Sequence, residues 1–343
     1  MSEWPMVSVI VPMYNERGYI ERCLDSLLAQ DYPGEYEVLV VDGRSHDGSE
    51  RVVREYSRKH PRIRVIDNPH RRRPHAMNLG VRNARGDVVM FLGAHSESPP
   101  NLLSQAVRTL KDTGAECVGG TIETVGIGFI GKAVATAVGH PLGVGGSRYR
   151  YSQKAQYVDT MGYGVYWREV FGRIGLFDEE LDTSEDYELN YRLRKAGGRI
   201  FLNPQMRPRY YARTSLRGLF RQYFRYGWDK VAVVRKHPGA FLWRYRVPPL
   251  FVLGAGTVVL LSPLFPWARY ALLIGGGTYL LALVGASLMV GIQCRAPYAL
   301  VLPLAFACMH FGFGVGFLTG LIRGPQKVSE RSGELFGANR RKG

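Results

Sequence analysis

Apolar runs alternate with polar punctuation through the first part of the chain. Val7-Ser-Val-Ile-Val-Pro12 is a short apolar run, and Ile20, Leu24, Leu27 and Leu28 then recur at helical spacing. Tyr36–Val41 reads as a second strand and Gly48–Lys59 as a second helix. Ile63–Ile66 is a third strand, Pro74–Asn83 a third helix, and Asp87–Leu92 a fourth strand. Strands taking turns with helices predict an α/β domain with a mostly parallel sheet and helices on both faces. Ligands of such sheets bind beyond the carboxyl ends of the strands, so the residues after each strand carry the function.

The pattern changes at Val247. From there to Ile322 there is no Asp, Glu or Lys, and the only formal charges are Arg269 and Arg295. Val247–Phe265, Trp267–Ile292 and Tyr298–Ile322 are each close to the roughly 20 apolar residues that a bilayer crossing needs. Between Arg213 and Arg246 lie nine basic residues and one acid, Asp229. Arg213, Arg217, Arg221 and Arg225 fall on one helix face, beside an apolar face of Leu216, Phe220, Tyr223 and Phe224. Such a helix suits an anionic membrane surface. The expected organisation is a soluble domain over 1–212, a basic amphipathic interface segment over 213–246, about three transmembrane helices over 247–322, and a basic tail over 323–343.

Basic residues flank the apolar region on both sides: Arg235, Lys236, Arg244 and Arg246 before it, and Arg323, Lys327, Arg331, Arg340, Arg341 and Lys342 after it. The positive-inside rule puts both flanks in the cytoplasm, which needs an even number of crossings. Three segments therefore predict one that is re-entrant or interfacial, unless the C-terminal flank breaks the rule. Pro248, Pro249, Pro263 and Pro266 make the first segment the suspect. Met1–Met6 has no basic apolar leader, so the N-terminal domain is expected in the cytoplasm.

Composition removes several classes. The 343 residues carry a net charge of +16, with 46% hydrophobic and 22% charged residues, which excludes disorder and collagen-like repeats. Cys23, Cys117, Cys294 and Cys308 are far apart and form no C-x-x-C pair, so they suggest neither a zinc knuckle nor a disulfide framework. The positive charge would permit nucleic-acid binding. It clusters near the membrane and at one loop, without an aromatic stacking platform, so no nucleic-acid partner is expected.

Four loops follow the four strands: Tyr14-Asn15-Glu16, Asp42-Gly43-Arg44-Ser45-His46-Asp47-Gly48, Asn68-Pro69-His70-Arg71-Arg72-Arg73, and Gly93-Ala94-His95. Asn and Asp at strand ends either hydrogen-bond a base and ribose or form turns. Three consecutive arginines can neutralise phosphates, and a histidine can hold a metal or a phosphate. Thr183-Ser-Glu-Asp-Tyr-Glu188 opens a helix with an N-cap candidate and acids in its first turn.

These residues carry a resemblance. Val9-Ile-Val-Pro-Met-Tyr-Asn-Glu16, Val40–Gly48, His75–Gly80 with Ala84–Asp87, and Glu185–Arg194 resemble, in that order, motifs of the inverting family-2 glycosyltransferases of GT-A fold. Gly143–Arg150, Val158-Asp159 and Arg221–Gly227 look like its ExoA-like, succinoglycan-type glucosyltransferase branch. The resemblance implies transfer of a sugar from a nucleotide-sugar donor, a UDP-sugar, to a polyprenyl-diphosphate-linked glycan. The setting it implies is the cytoplasmic face of the cell (inner) membrane. Polyprenyl phosphate as acceptor, a processive synthase, and a non-catalytic nucleotide-sugar binder remain alternatives.

By position in the motifs, Pro12, Tyr14, Asn15, Glu16 and Asp42 would hold the uridine, with Asn78 helping. Arg71 and Arg73 would face the phosphates, and Gly93, Ala94 and His95 stand where relatives carry Asp-x-Asp or Asp-x-His. His95 is the remaining metal-binding position for manganese or magnesium, and the first carboxylate is replaced by Gly93. Asp186 would be the catalytic base, and Glu185 would orient the acceptor. Gln222-Tyr-Phe-Arg-Tyr226 resembles a Q-x-x-R-W motif, so Gln222, Arg225 and Tyr226 would contact the acceptor or diphosphate.

Overall fold

The computed structural model describes residues 3–181, 183–294 and 296–324. Arg295 and the tail basic residues Lys327, Arg331, Arg340, Arg341 and Lys342 lie outside them. The chain forms two compact units. Among the described residues, the first holds those up to Glu123 and Tyr151–Tyr210; the second holds Thr124–Arg150 and 211–324.

The strands are β1 (Val7–Met13), β2 (Tyr36–Asp42), β3 (Ile63–Asp67), β4 (Val88–Phe91), β5 (Ser96–Glu97), β6 (Cys117–Gly120), β7 (Glu123–Val125), β8 (Gln156–Val158), β9 (Val165–Trp167), β10 (Ile200–Asn203) and β11 (Arg209–Tyr211). The first unit is built on an eight-stranded sheet of order β3-β2-β1-β4-β9-β6-β10-β8. β3, β2, β1 and β4 are mutually parallel, and β6 is parallel to β10. β9 runs against both β4 and β6, and β8 runs against β10. Every residue of β2 is buried, as befits a parallel strand covered on both faces.

The covering helices are α1 (Ile20–Leu28), α2 (Ser49–Lys59), α3 (Arg73–Asn83) and α4 (Leu102–Thr113). α1 buries Ile20, Cys23, Leu24 and Leu27, the stripe its spacing predicts. α3 places Pro74 in its first turn, where the missing N–H costs nothing. Gly80 of α3 lies so close to Ile10 of β1 that a Cβ there would collide with the isoleucine side chain. α7 (Glu169–Ile174) and α8 (Glu185–Lys195) complete this unit.

The second unit contains α5 (Gly128–Val138), α6 (Pro141–Val144), α9 (Leu216–Lys236), α10 (Trp243–Leu261), α11 (Pro266–Cys294) and α12 (Leu302–Arg323). The segment 124–150, which the sequence pattern left within the soluble domain, belongs here instead. The reason is packing: α5 is apolar, and the turn after it leans on α12 through His140 and Phe306, whose ring centroids are 5.5 Å apart. α9 begins at Leu216, with Ser215 as its cap, the hydroxyl accepting from the Gly218 N–H at 3.1 Å. Among the described residues three helices are long and apolar enough to cross a membrane: Trp243–Leu261, Pro266–Gln293 and Pro297–Arg323. Pro248 and Pro249 lie inside the first of them, past its first turn, and α10 continues through them to Leu261.

Candidate functional site

The loops after β1 and β2 are stitched together at the carboxyl edge of the sheet. Ser45 Oγ accepts from the Asn15 N–H at 2.9 Å, and Asn15 Oδ1 accepts from the His46 N–H at 2.9 Å. Ser49 Oγ accepts from the Glu16 N–H at 2.8 Å, and Asp47 Oδ2 from the Arg17 N–H at 2.9 Å. Asn15 has a positive φ of 54°, a left-handed conformation that asparagine tolerates better than most residues. Pro12 is half-buried within β1, and the Tyr14 ring meets His46 edge-on at 5.9 Å.

Asp42, at the end of β2, is buried and accepts from Ser45 Oγ at 2.6 Å. Burial pushes its carboxyl above the ordinary value, and the Ser45 hydroxyl and N–H oppose this. Its carboxylate thus also closes the turn of its own loop. The third loop hangs from the same point: the Asn68 N–H donates to Asp42 O at 2.8 Å, and Asn68 Nδ2 to Arg72 O at 3.0 Å. Arg71, exposed and with φ 57°, projects from this loop, and Arg73 opens α3.

Arg73 makes the decisive long-range contact. Its Nη1 lies 2.5 Å from Glu185 Oε1, joining residues 112 apart in sequence. Glu185 is buried and starts α8, so the ion pair brings the acidic helix start to the arginine loop. Asp186 is half-buried beside it, and its Oδ1 accepts from the Tyr187 N–H at 2.7 Å. The preceding residue, Ser184, is left-handed with φ 67° and makes no side-chain cap, so the expected N-cap hydrogen bond is absent. A non-glycine held left-handed at the entry to an acidic pair is strain of the kind that collects at functional sites. Below it, Tyr166 is fully buried and donates to Asn190 Oδ1 at 2.8 Å. Burial raises its hydroxyl pKa well above the ordinary value, and the Asp186 charge adds to that.

One acid and one amide have structural duties. Glu188, buried, pairs with Arg192 at 2.7 Å, and Arg192 also donates to the carbonyls of Ile174, Gly175 and Leu176. Asn78, expected to help with the base, is engaged elsewhere. Its Nδ2 donates to Phe177 O at 2.9 Å and to Glu179 Oε1 at 2.8 Å, and its Oδ1 accepts from the Phe177 N–H at 2.9 Å. Both ends of the amide are satisfied by the segment leading towards α8.

At the fourth loop, Ala94 is buried and His95 is half-exposed. His95 Nδ1 is 2.9 Å from Glu16 Oε1, so Glu16, expected on the uridine, orients the imidazole. A Cβ placed on Gly93 would lie 3.1 Å from the Tyr163 hydroxyl and 3.3 Å from Ser96 Oγ. These two hydroxyls bond each other at 2.6 Å, and Tyr163 is left-handed with φ 54°. No motif in the sequence marks Tyr163 or Ser96 for this point. Among the described residues no group of three His, Cys, Asp or Glu is placed to hold a metal ion. His95 and Glu16 are already bonded to each other, and hydroxyls stand near Gly93. This donor set does not fit a metal held by protein ligands alone.

Gln222, Arg225 and Tyr226 lie on α9 in the second unit, where Gln222 Nε2 donates to the Tyr226 hydroxyl at 2.9 Å, one helical turn on.

Comparison with known proteins agrees with this geometry. A Methanococcus voltae protein described as dolichyl N-acetyl-alpha-D-glucosaminyl phosphate 3-beta-D-2,3-diacetamido-2,3-dideoxy-beta-D-glucuronosyltransferase is 30% identical over 327 residues, covering 93% of this chain and 98% of the relative. The succinoglycan biosynthesis protein ExoA of Rhizobium meliloti (strain 1021) is 29% identical over 323 residues, covering 94% and 96%. A solved mannosyltransferase from Pyrobaculum calidifontis, in complex with GDP-Man and Mn2+, has a TM-score of 0.65 at 21% identity, covering 92% of this chain and 88% of that one. Residues 8–175 match the model for glycosyl transferase family 2. With the parallel sheet, the loops at its carboxyl edge and the relatives that match along nearly their whole length, the chain belongs to glycosyl transferase family 2.

Proposed function

We propose that this enzyme is a membrane-bound inverting transferase that moves a sugar from a UDP-sugar to a polyprenyl-diphosphate-linked glycan at the cytoplasmic face of the cell membrane. The observation that carries the reading is the Arg73–Glu185 ion pair, which joins the arginine loop to the start of α8 at one edge of the sheet. Residues 1–212 bear the chemistry, and 213–246 lies against the membrane surface. The names of the two relatives, one dolichyl-linked and one from succinoglycan synthesis, support a lipid-linked acceptor.

Each site residue then has a role. Pro12, Tyr14, Asn15 and Asp42 line the nucleoside side, and the bonds between Asn15, Ser45 and His46 hold those loops in shape before the donor arrives. Arg71 meets the diphosphate, and Arg73, held by Glu185, presents its guanidinium beside it. Asp186 accepts the proton of the attacking acceptor hydroxyl. The new bond forms from that oxygen to the anomeric carbon on the face opposite the nucleotide. The bond from that carbon to the phosphate oxygen breaks, and its electron pair leaves with the nucleoside diphosphate. A cation arriving on the diphosphate would meet His95 but no carboxylate at position 93, so no step is assigned to it.

A second reading has one observation in its favour. The Methanococcus relative's printed name specifies a dolichyl sugar monophosphate, so the acceptor here would carry one phosphate and not two. Release of nucleoside diphosphate by detergent-solubilised enzyme tests both readings. The assay takes a panel of UDP-sugars and GDP-mannose against polyprenyl monophosphate- and diphosphate-linked sugars, with manganese, magnesium or EDTA. Turnover with a UDP-sugar and the diphosphate-linked acceptor is expected. Turnover only with the monophosphate-linked acceptor would establish the second reading, and turnover only with GDP-mannose would overturn the UDP assignment.

A further inference from the structure

Three helices of the second unit pass the length and hydropathy criteria for a crossing, but they are covered very differently. Within the most apolar window of each, 6% is buried in α10, 22% in α11 and 44% in the last helix, α12 with the turn before it. Leu253 and Leu260 of α10 and Leu273, Leu281 and Ile292 of α11 are exposed. Two helices with apolar side chains all round and little protein cover fit a hydrocarbon surrounding. In α12, Leu302, Phe306, Met309, Phe313 and Phe317 are buried instead.

α12 is held by α9. Gly312, Gly316 and Gly320 form a row at every fourth residue, set against the α9 backbone. A Cβ on Gly312 would come within 2.9 Å of Phe220 O, one on Gly320 within 3.0 Å of Trp228 O, and one on Gly316 would overlap Phe224 O. Both series advance by four in the same direction, so the two helices run parallel and in close backbone contact. The pairing continues to the helix ends, where Trp228 Nε1 donates to Gly324 O at 3.0 Å and Arg235 Nη2 to Leu321 O at 3.2 Å.

α9 cannot share a bilayer crossing. It carries Arg217, Arg221, Arg225, Asp229, Lys230, Arg235 and Lys236, spread over its whole length, so standing upright would place a charge at every depth of the hydrocarbon. A helix locked along it for about 20 Å, at 1.5 Å per residue, stays at the same depth.

The direction of the other contacts agrees. In an up-down-up bundle of three crossings α12 would run parallel to α10. The contacts run the opposite way: Phe241, just before α10, stacks on Phe317 at 5.1 Å, Tyr245 on Phe313 at 6.1 Å, and Phe251 meets Phe311 at 5.5 Å. From the Phe251–Tyr279 contact, α11 then follows α12 the other way, with Tyr279 hydrogen-bonded to His310 at 2.9 Å and Gly291 beside Ala299. α12 therefore lies across the foot of the α10–α11 hairpin. Its first half is tied to the segment after α5, where His310 Nε2 is 2.8 Å from Leu142 O.

From these contacts we infer that α10 and α11 enter the bilayer as a hairpin, while α12 lies with α9 in the membrane plane, on the catalytic side. The partner of the exposed α10 and α11 faces is lipid acyl chain. Two passes satisfy the charge pattern: the basic residues before α10 and after α12 share one side. The hairpin tip holds Arg269, folded back on Ser262 O at 2.8 Å and Pro263 O at 3.1 Å. The exception to the three apolar stretches is the last one, and the proline-bearing first stretch goes into the membrane.

The test uses the full chain in bacterial cells. Fusions after the last residue carry either a fluorescent protein that lights only in the cytoplasm or a phosphatase active only outside it. A fluorescent, phosphatase-negative C-terminus is expected; the opposite pattern would overturn the inference. A second variant, Ser262→Cys, is treated in intact cells with a membrane-impermeant maleimide. Labelling at least several-fold above the unsubstituted chain is expected at the hairpin tip. Labelling equal to the unsubstituted chain would overturn the hairpin even with a cytoplasmic C-terminus. Neither readout depends on which sugar the enzyme transfers.

Discussion

The carboxyl edge of the sheet and the α9–α12 pair are both closely held, but by opposite means. At the sheet edge, polar side chains reach across loops: Ser45 to Asn15, Ser49 to Glu16, Arg73 to Glu185. Between α9 and α12 it is the lack of side chains that matters, because Gly312, Gly316 and Gly320 let backbone touch backbone. The first kind of region fails when a donor or acceptor is removed, the second when a few atoms are added.

The largest effect should come from the chemistry at the edge itself. Asp186→Asn keeps the size and removes the base, so turnover should fall by about 10²–10⁴-fold, the usual contribution of such a group. Nucleotide affinity should change little, which calorimetric titration with UDP would check; near-normal turnover would remove Asp186 from the base role. On the other side, Gly316→Leu adds a branched side chain where even a Cβ overlaps the Phe224 carbonyl. Overpacking typically costs about 1–3 kcal/mol, and backbone as the obstacle places this case at the upper end. Thermal unfolding in detergent should shift down by several degrees, whereas Gly256→Leu on α10, with open space around it, should not. Equal shifts would erase the distinction between α10 and α12.

A moderate loss should follow from Glu37→Gln. Burial pushes the Glu37 carboxyl up, but the Arg85 N–H, the Arg64 guanidinium and the Ser8 hydroxyl outweigh it and hold the pKa below the ordinary value. That stabilisation is present above the unfolded carboxyl's ordinary pKa and is lost as pH falls through the folded one. The variant should therefore be less stable by about 1–3 kcal/mol near neutrality, with the gap closing in acid. Urea unfolding at both pH values would measure it. The smallest effect concerns Ser45→Ala, which leaves the Asn15 N–H and Asp42 without the hydroxyl that serves both. A stability loss of about 1 kcal/mol is expected, with donor affinity falling more than stability. Unchanged UDP binding would show that the loops keep their shape without the latch.

Much of this was legible in the sequence, and the misses have physical causes. β1, β2 and β4 announced themselves as apolar runs because parallel strands inside a sheet are buried on both faces. β6, β9 and β10 did not: each has four residues or fewer, and Cys117–Gly120 contains two glycines. Tyr14, Asn15, Asp42 and His95 stood out as candidates because each ends or follows a strand of one parallel sheet. The partners of Asn78, Phe177 and Glu179, are about 100 residues away, and no local pattern points to them. The Arg73–Glu185 pair and the hydroxyls beside Gly93 were invisible for the same reason. Hydropathy measures composition, so by itself it does not tell α11 from α12. What separates them is the four-residue spacing of glycines on α12, which matters only once α9 is known to lie against it.

That pairing also has a temporal side. α9 is synthesised about 85 residues before α12, and chains fold from the N-terminus as they emerge. Phe220, Phe224 and Trp228 line the ridge that the glycine row later covers. Until the final helix leaves the ribosome, that aromatic ridge has no mate, while the parallel half of the sheet, complete by Phe91, is already able to form. A nascent enzyme stalled short of Leu302 would carry a finished nucleotide edge on an unfinished, sticky collar. Quality-control proteases should therefore recognise chains truncated in α12 far more readily than chains ending just beyond it.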